Sequence, residues 1–513
     1  MRLLTRRVAV EGVVTLGVLL TLLAVFLLMA RLRLVDADEG YYLFAAKLLL
    51  EGHRPYTDFF FPQMPLLPYA YSAGMTMLSV SWSTGRLLTS VLAALLGTAL
   101  YLHTLRISGS RRLALFGVLL FATSSLALAW YTAAKTYALT ALLLFLAYMA
   151  FESSRASPRP GLIFVSGLLT ALAIDARLLA LASLGAFGWA LYRWPPAAGA
   201  RSRAAGCFAA GLALGFLPVL WLAVPAGPAF WFDNIGFHLR RSDMGLLASL
   251  LQKAQVTLQL LGLPAVEGGA NLQLTLLLAV GLAGRYVCGA GRAQGGSAFA
   301  LAAWLGFVSL WPTPTYLQYF SIIVPFLIVS SVASLPHVLA RFQARFGAAR
   351  PRALRAAAWL AVIAYVAPAP VDAYRYAYSG ADVPGIWGRE RAEHWTLAQV
   401  RQVSTTIDRY AKPGETVLSW WPGYLVESHA RAVPGFENHF GAALAGQLTP
   451  EERGRYRLVS SEEAQALFGR RGTRVVVTGL ANFMLWEPQD LVAAGYDWVA
   501  QVGDAEVFVT TRP

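Results

Sequence analysis

Residues 12 to 30, GVVTLGVLLTLLAVFLLMA, run nineteen positions without a charge, and about 20 such residues are what an α-helix needs to cross the hydrocarbon of a bilayer. Largely apolar runs return near 87 to 105, 113 to 130, 138 to 151, 161 to 174, 178 to 192, 205 to 224, 272 to 288, 297 to 311, 320 to 336 and 355 to 370. Together they predict an all-α polytopic bundle of about eleven transmembrane helices, with 161 to 192 also readable as one long broken helix.

Of 513 residues, 57% are hydrophobic and 14% charged, with a mean hydropathy of +0.52, which is more apolar than a soluble domain needs to build its core. The formal charge of +14 does not mark a nucleic-acid binder, because the arginines gather in short segments between apolar runs, where they set topology. Arg2, Arg6 and Arg7 precede the first run; Arg106, Arg111 and Arg112 follow the second, Arg155 and Arg159 the fourth, and Arg193, Arg201 and Arg203 the sixth. Arg285 and Arg292 follow the eighth, and Arg341, Arg345, Arg350, Arg352 and Arg355 fill the loop before the last. Basic loops face the cytoplasm. The opposite face then receives 31 to 86, the turn WYTAAKTY (130 to 137), the turn at Asp175 and Arg177, the stretch 225 to 271, WPTPTYLQYF (311 to 320) and the C-terminus. The N-terminus, MRLLTRRVAVEG, starts like a signal peptide, but the run after it is too long for an h-region and reads as a retained helix. The Ala, Arg and Gly usage points to a bacterial origin, which together with the apolar runs places the chain in a cytoplasmic (inner) membrane. Cys207 and Cys288 fit neither a disulfide framework nor a metal spacing.

Two domains are expected: a membrane module over 1–371 and an extracytoplasmic α/β domain over 372–513. In the second, a helix near 393 to 411 is followed by the strand-like stretches TVLSW, RVVVTG, WVAQV and EVFVTT. Within the first outer loop, YYLFAAKLLLEG predicts a short amphipathic helix lying at the interface and closed by Gly52. The Pro-broken, aromatic segment HRPYTDFFFPQMPLLPY after it needs protein or a water-filled cavity to cover its backbone.

Most of the polar chemistry collects on the outer side. DADEGYY places Asp36, Asp38 and Glu39 at the membrane boundary, where an unpaired carboxylate costs several kcal/mol. They serve either as loop acids balancing Arg31 and Arg33 or as a base, or a metal or hydroxyl ligand, beside an embedded substrate. Asp58 is a further acid in that loop. Arg86 and Lys135 are outer cations able to meet a phosphate, with snorkelling as the plain alternative, and Arg240 and Arg241 could meet a phosphate or an anionic lipid headgroup, with chance placement in a loop as theirs. Arg177 and Asp175 can pair with each other. Tyr316, Gln318 and Tyr319 stand at the mouth of a late span, where an aromatic belt is equally expected. His238 reads as structural or solvated, no His or Cys cluster has zinc spacing, and WWPG (420 to 423) reads as a loop support, with carbohydrate stacking as the alternative.

The order of these parts resembles the polytopic GT-C glycosyltransferases related to protein O-mannosyltransferases and to the aminoarabinose transferase of lipid A. The resemblance is carried by D-E-x-x-Y at Asp38, Glu39 and Tyr42, by G-x-x-P-Y-x-D at Gly52, Pro55, Tyr56 and Asp58, by Pro62 and Pro65, and by TPTYLQYF with Pro325 after it. It implies transfer of one sugar, with inversion, from a polyprenyl-phosphate donor to a hydroxyl on a protein, lipid or glycan acceptor. In that picture Asp38, Glu39 and Asp58 are the catalytic acids, and Arg86, Lys135, Arg177, Arg240 and Arg241 are the cations for the donor phosphate. Tyr42, Tyr56, Tyr316, Gln318 and Tyr319 line the substrate cleft. The partners implied are the lipid-linked donor, the acceptor and membrane lipids. A divalent metal stays open, because relatives often carry an acid after the third span, where this chain reads AKTYALT. Relatives also often place a His or Arg where this chain has Tyr316 and Gln318. A transporter or flippase of an anionic or lipid-linked substrate is the rival reading, weakened by the lack of an inverted repeat and by polar residues that favour the outer face over mid-bilayer. A non-catalytic assembly protein would not need Asp38, Glu39 and Asp58 beside a lipid-facing cleft.

Overall fold

The computed structural model describes residues 2–157, 159–194, 199–241, 245–263, 271–288, 296–347, 351–379, 389–469, 473–479 and 487–510. Arg292 and Arg350 of the cytoplasmic-side set lie outside the described residues. Helices dominate, with one small sheet near the C-terminus. Five described helices are long and apolar enough to cross a membrane, Ala9–Leu32, Trp82–Ser108, Tyr137–Arg155, Leu317–Arg345 and Arg355–Ser379, and the pair Ala200–Gly215 and Leu217–Ala226, bent by 49°, makes a sixth if counted as one. Pro160–Ala176, Leu178–Tyr192, Gln273–Val287 and Gly296–Ser309 are apolar but shorter. The chain is a helical membrane protein, and among the described residues the helices of full spanning length do not by themselves make up the eleven expected.

Local chemistry explains two of the differences. The expected span 113 to 130 is two helices, Arg111–Ala122 and Ser125–Trp130, because the Ser124 hydroxyl caps the second by accepting from the Ala127 amide at 3.5 Å. The region 161 to 192 breaks at Arg177, which is extended (φ −159°, ψ 118°) between Pro160–Ala176 and a 3-10 turn at Leu178–Ala182. Helix Arg355–Ser379 runs on past the boundary set at residue 371.

The segments that position the site are α1 (Arg2–Leu32), α2 (Ala37–Leu50), α3 (Leu66–Met77) and α4 (Trp82–Ser108). Helix α2 corrects the expectation of an interfacial helix. Tyr41, Tyr42, Leu43, Phe44 and Ala45 are all buried, around its whole circumference. A helix apolar on every face belongs in a core, and this one is held between the membrane helices and the C-terminal domain. Gly52, at φ +92°, turns the chain out of it.

That domain is a five-stranded sheet in the order β2-β1-β3-β5-β4, with β1 (Thr416–Ser419), β2 (Arg431–Ala432), β3 (Val475–Val477), β4 (Asp497–Val502) and β5 (Ala505–Val509). β1 pairs parallel with β2 and β3, and β5 pairs antiparallel with β3 and β4. Four strands fall where the sequence predicts them; β2, two residues long, carries no pattern to find. Helix Leu397–Tyr410, capped by Thr396, lays Val400, Val403 and Ile407 into the core. One continuous hydrophobic cluster joins these residues and Val417, Val476 and Phe508 to Tyr41, Phe44 and Leu67.

The polar seams follow the same route. The Trp421 indole donates to the Ala37 carbonyl at 2.8 Å, and the Lys47 ammonium donates to the carbonyls of Leu425 at 2.8 Å and Ser428 at 2.6 Å. Glu427 accepts from the Trp82 amide at 2.9 Å and from Arg401 at 2.9 Å, while Arg401 also reaches Ser83 at 2.7 Å. WWPG therefore supports α2, as well as a loop of its own domain. Contact is close enough to require glycine at position 40: a Cβ there would lie 2.7 Å from the Trp421 ring and 2.8 Å from the Gly423 Cα. Gly40→Ala is expected to destabilise the protein by about 1–3 kcal/mol, read as a fall in thermal unfolding temperature in detergent. An unchanged temperature would contradict this packing.

Candidate active site

Asp36 caps α2: its Oδ1 accepts from the Asp38 amide at 2.9 Å, and Glu39 at the third helical position accepts from the Asp36 amide at 2.9 Å. This reciprocal cap gives the three acids different fates. Glu39 is fully buried and takes a two-pronged contact from Arg86, Nε to Oε2 at 3.0 Å and Nη2 to Oε1 at 2.8 Å, with the Ala134 amide adding a bond at 3.0 Å. Arg86 spends its remaining donors on the carbonyls of Ala30 at 2.8 Å, Arg33 at 3.0 Å and Leu34 at 3.2 Å, at the C-terminal end of α1, where a cation is favoured. Neither residue reaches the cavity described below. The structure thus places Glu39 and Arg86 in a buried strut, with no atoms left for a catalytic acid or a phosphate partner.

Asp58 is also displaced from the expected set. Its Oδ2 accepts from the Arg54 amide at 2.7 Å in an exposed turn. Tyr56, left-handed at φ +70°, is buried with its hydroxyl on the Gln63 carbonyl at 2.7 Å. Both shape the loop and neither lines the cavity.

Asp38 does line it. The cavity has a volume of about 1300 Å³. Segments distant in sequence meet there: the first outer loop, the turn carrying Lys135, the break at Arg177, residues 234–241, one side of helix Leu246–Leu260, the 311–319 loop, and the start of helix His439–Ala445 from the C-terminal domain. Lys135 Nζ lies 2.6 Å from Asp38 Oδ2, 2.9 Å from Asp36 Oδ1 and 3.2 Å from Gln318 Oε1, so its three protons have three acceptors. Burial alone would raise the Asp38 carboxyl and lower the Lys135 ammonium; their contact reverses both, so Asp38 stays ionised below the usual carboxylate range and Lys135 keeps its proton above its usual value. For Asp36, 1% exposed, burial dominates and the carboxyl is pushed up.

The other cations divide. Arg177 stands over the Tyr137 ring at 4.5 Å and the Tyr319 ring at 5.0 Å, and donates to Thr136 Oγ1 at 3.0 Å, while its buried Nε has no hydrogen-bond partner. It forms no ion pair with Asp175, which accepts from the Leu66 backbone instead. Arg241 is half-buried, lies over Phe440 at 5.6 Å and bonds to Tyr316. Arg240, at the exposed rim, pairs with Glu452 at 3.7 Å. Tyr42, Tyr316, Gln318 and Tyr319 all line the cavity. His238 is structural, with Nε2 on the Pro62 carbonyl at 2.9 Å.

Tyr41, Tyr137 and His439 are among the lining residues that the sequence reading did not single out. Tyr41 precedes Tyr42 with ring centroids 4.2 Å apart, and Tyr137 supports both Lys135 and Arg177. His439 arrives from the C-terminal domain, 5.9 Å from the Tyr41 ring; burial pushes its imidazole down to about 4, so it is neutral at pH 7. No local motif marks it, because only the tertiary fold brings it to Asp38.

The different burdens on the acids are measurable. Removing one member of a buried ion pair typically costs about 3–5 kcal/mol, so Glu39→Gln is expected to lower the unfolding temperature strongly. Asp58→Asn, in an exposed turn, is expected to change stability by under about 0.5 kcal/mol. Equal effects would contradict the division.

Comparison with known proteins places this geometry. No family model and no curated protein matches the sequence. Among solved structures, the ArnT of Cupriavidus metallidurans bound to undecaprenyl phosphate matches with a TM-score of 0.64 at 13% identity, covering 98% of each chain. The archaeal oligosaccharyltransferase AglB of Archaeoglobus fulgidus, in complex with an inhibitory peptide and a dolichol-phosphate, matches with a TM-score of 0.51 at 17% identity over 98% of this chain and 75% of its own. The mycobacterial arabinofuranosyltransferase AftD matches with a TM-score of 0.52 at 16% identity over 96% of this chain and 40% of its own. All three neighbours are GT-C glycosyltransferases, and the chain has the GT-C fold, as its first-loop and TPTYLQYF motifs imply.

Proposed function

We propose that the protein is an inverting glycosyltransferase that moves one sugar from a polyprenyl-phosphate donor to a hydroxyl acceptor at the outer face of a bacterial cytoplasmic membrane. One observation carries the reading: a carboxylate, Asp38, kept ionised by Lys135 at 2.6 Å, opens into a cavity of about 1300 Å³ that Arg177 and Arg241 also line. Two neighbours of the same fold support the donor class, one bound to undecaprenyl phosphate and one to dolichol-phosphate.

The chemistry follows from what each group can do. Asp38 takes the proton of the acceptor hydroxyl as its oxygen attacks the anomeric carbon. The bond from that carbon to the phosphate oxygen breaks on the opposite face, so configuration inverts, and the polyprenyl phosphate leaves with the electron pair. Charge gathering on the phosphate is met by Arg177 and Arg241, whose guanidinium forks suit phosphate oxygens. Leu181, Val256, Trp304 and Val308 offer an apolar wall for the lipid chain. Lys135 acts on Asp38, and its protons are already committed. The tyrosines at 41, 42, 316 and 319, with the neutral His439, bound the space left for sugar and acceptor.

Purified protein supplied with labelled polyprenyl-phosphate sugars and a glycan, lipid or peptide acceptor is expected to release polyprenyl phosphate. Asp38→Asn should cut turnover by about 10²–10⁴-fold with folding intact, and Arg177→Ala and Arg241→Ala should weaken donor use more than acceptor use. Full turnover in Asp38→Asn, or accumulation of an uncleaved substrate in sealed vesicles, would contradict the reading.

A further inference from the structure

Two acids of one loop beside a cavity lined by cations, with a neutral oxygen from a second segment, form the kind of oxygen set that hard divalent cations use. Here Asp36 Oδ1, Asp38 Oδ2 and Gln318 Oε1 form such a set, converging on one point where two outer loops and the late loop meet. The Lys135 ammonium occupies that point, at 2.9, 2.6 and 3.2 Å. It arrives from the turn AKTYALT, in which there is no carboxylate. Its side chain is 2% exposed and walled by the Trp130 ring at 5.3 Å and the Tyr137 ring at 6.0 Å, which favour a cation. A metal ion would have to expel this ammonium and leave it buried without a counter-charge. Among the described residues no group of three His, Cys, Asp or Glu side chains could hold a metal ion, and with the Lys135 ammonium in place the three oxygens here have no room for one.

We propose that Lys135 is the resident cation of this site: tethered to the chain, it stands where a divalent metal would bridge Asp36 and Asp38, and sugar transfer proceeds without an added metal ion. The charge count explains what the substitution achieves. With both acids ionised, two carboxylates and one ammonium leave one net negative charge, so Asp38 is held in place yet keeps the electron density a base needs. A divalent ion between the same acids would neutralise both and weaken Asp38 as a proton acceptor. Lys135 is thus a positioning residue that acts through Asp38, and Gln318, being neutral, completes its hydrogen bonds without changing the balance.

The proposal rests on the glycosyl-transfer reading for its catalytic half, but the occupancy of the site is measured separately. Mn²⁺ is titrated into the purified full-length protein by electron paramagnetic resonance, in parallel with turnover before and after chelation. The wild type is expected to bind no stoichiometric Mn²⁺ and to keep its turnover within about twofold under chelator. Lys135→Ala is expected to lose about 100-fold or more in turnover, the scale of a misheld general base, and to gain an Mn²⁺ site that Asp36→Asn in the same chain removes. Stoichiometric Mn²⁺ in the wild type, with turnover abolished by chelation and restored by Mn²⁺ or Mg²⁺, would overturn it. Failure of Lys135→Ala to gain the site would overturn the claim that these acids form a cation site, and if that variant does not fold the wild-type titration still decides. No transfer from any donor would sink the proposed reaction, while the titration would still report on Lys135.

Discussion

A carboxylate set at a membrane boundary and covered by protein must have a cation at hand, and this chain meets that constraint twice within four residues. Glu39 is paid with Arg86, and the result is a strut: both groups are buried, and Arg86 also ties the end of α1 to the start of α2. Asp36 and Asp38 share Lys135, and there Asp38 keeps one side open to the cavity. The helix cap at Asp36 makes the separation, since it aims residue 39 inward and residue 38 outward from one turn of helix.

The C-terminal domain belongs to this arrangement. Trp421 on the Ala37 carbonyl and Lys47 on the carbonyls of Leu425 and Ser428 fix α2 from above, as the membrane helices fix it from below. The same domain then supplies His439 to the cavity wall. Acid, cation and roof are therefore parts of one packed unit, which is how catalytic groups are kept at a fixed geometry.

Much of this was legible in the sequence, for identifiable reasons. Apolar runs reveal helices because lipid leaves the backbone no alternative, and Arg placement marks the loops. Asp38, Tyr42, Tyr316, Gln318 and Tyr319 were legible because polar and aromatic residues at the outer rim of such runs need an explanation. What stayed hidden depends on partners far away in sequence. Glu39 meets Arg86 across 47 positions, Asp36 meets Lys135 across 99, and Ala37 meets Trp421 across 384. Whether an acid is a strut or a base is decided by those partners. The burial of α2 did leave a trace: YYLFAAKLLL is apolar around its circumference apart from Lys47, unlike a helix that floats at an interface.

The central claim is that Asp38 faces the non-cytosolic side in a cavity shared with a lipid phosphate. Cysteine labelling tests it most directly, using Asp38→Cys in a chain carrying Cys207→Ser and Cys288→Ser, with an impermeant maleimide applied to intact cells and to inverted vesicles. Labelling from the outside only, slowed by added polyprenyl phosphate, is the expected result. Labelling confined to the cytosolic side, or a rate indifferent to the lipid phosphate, would contradict the account.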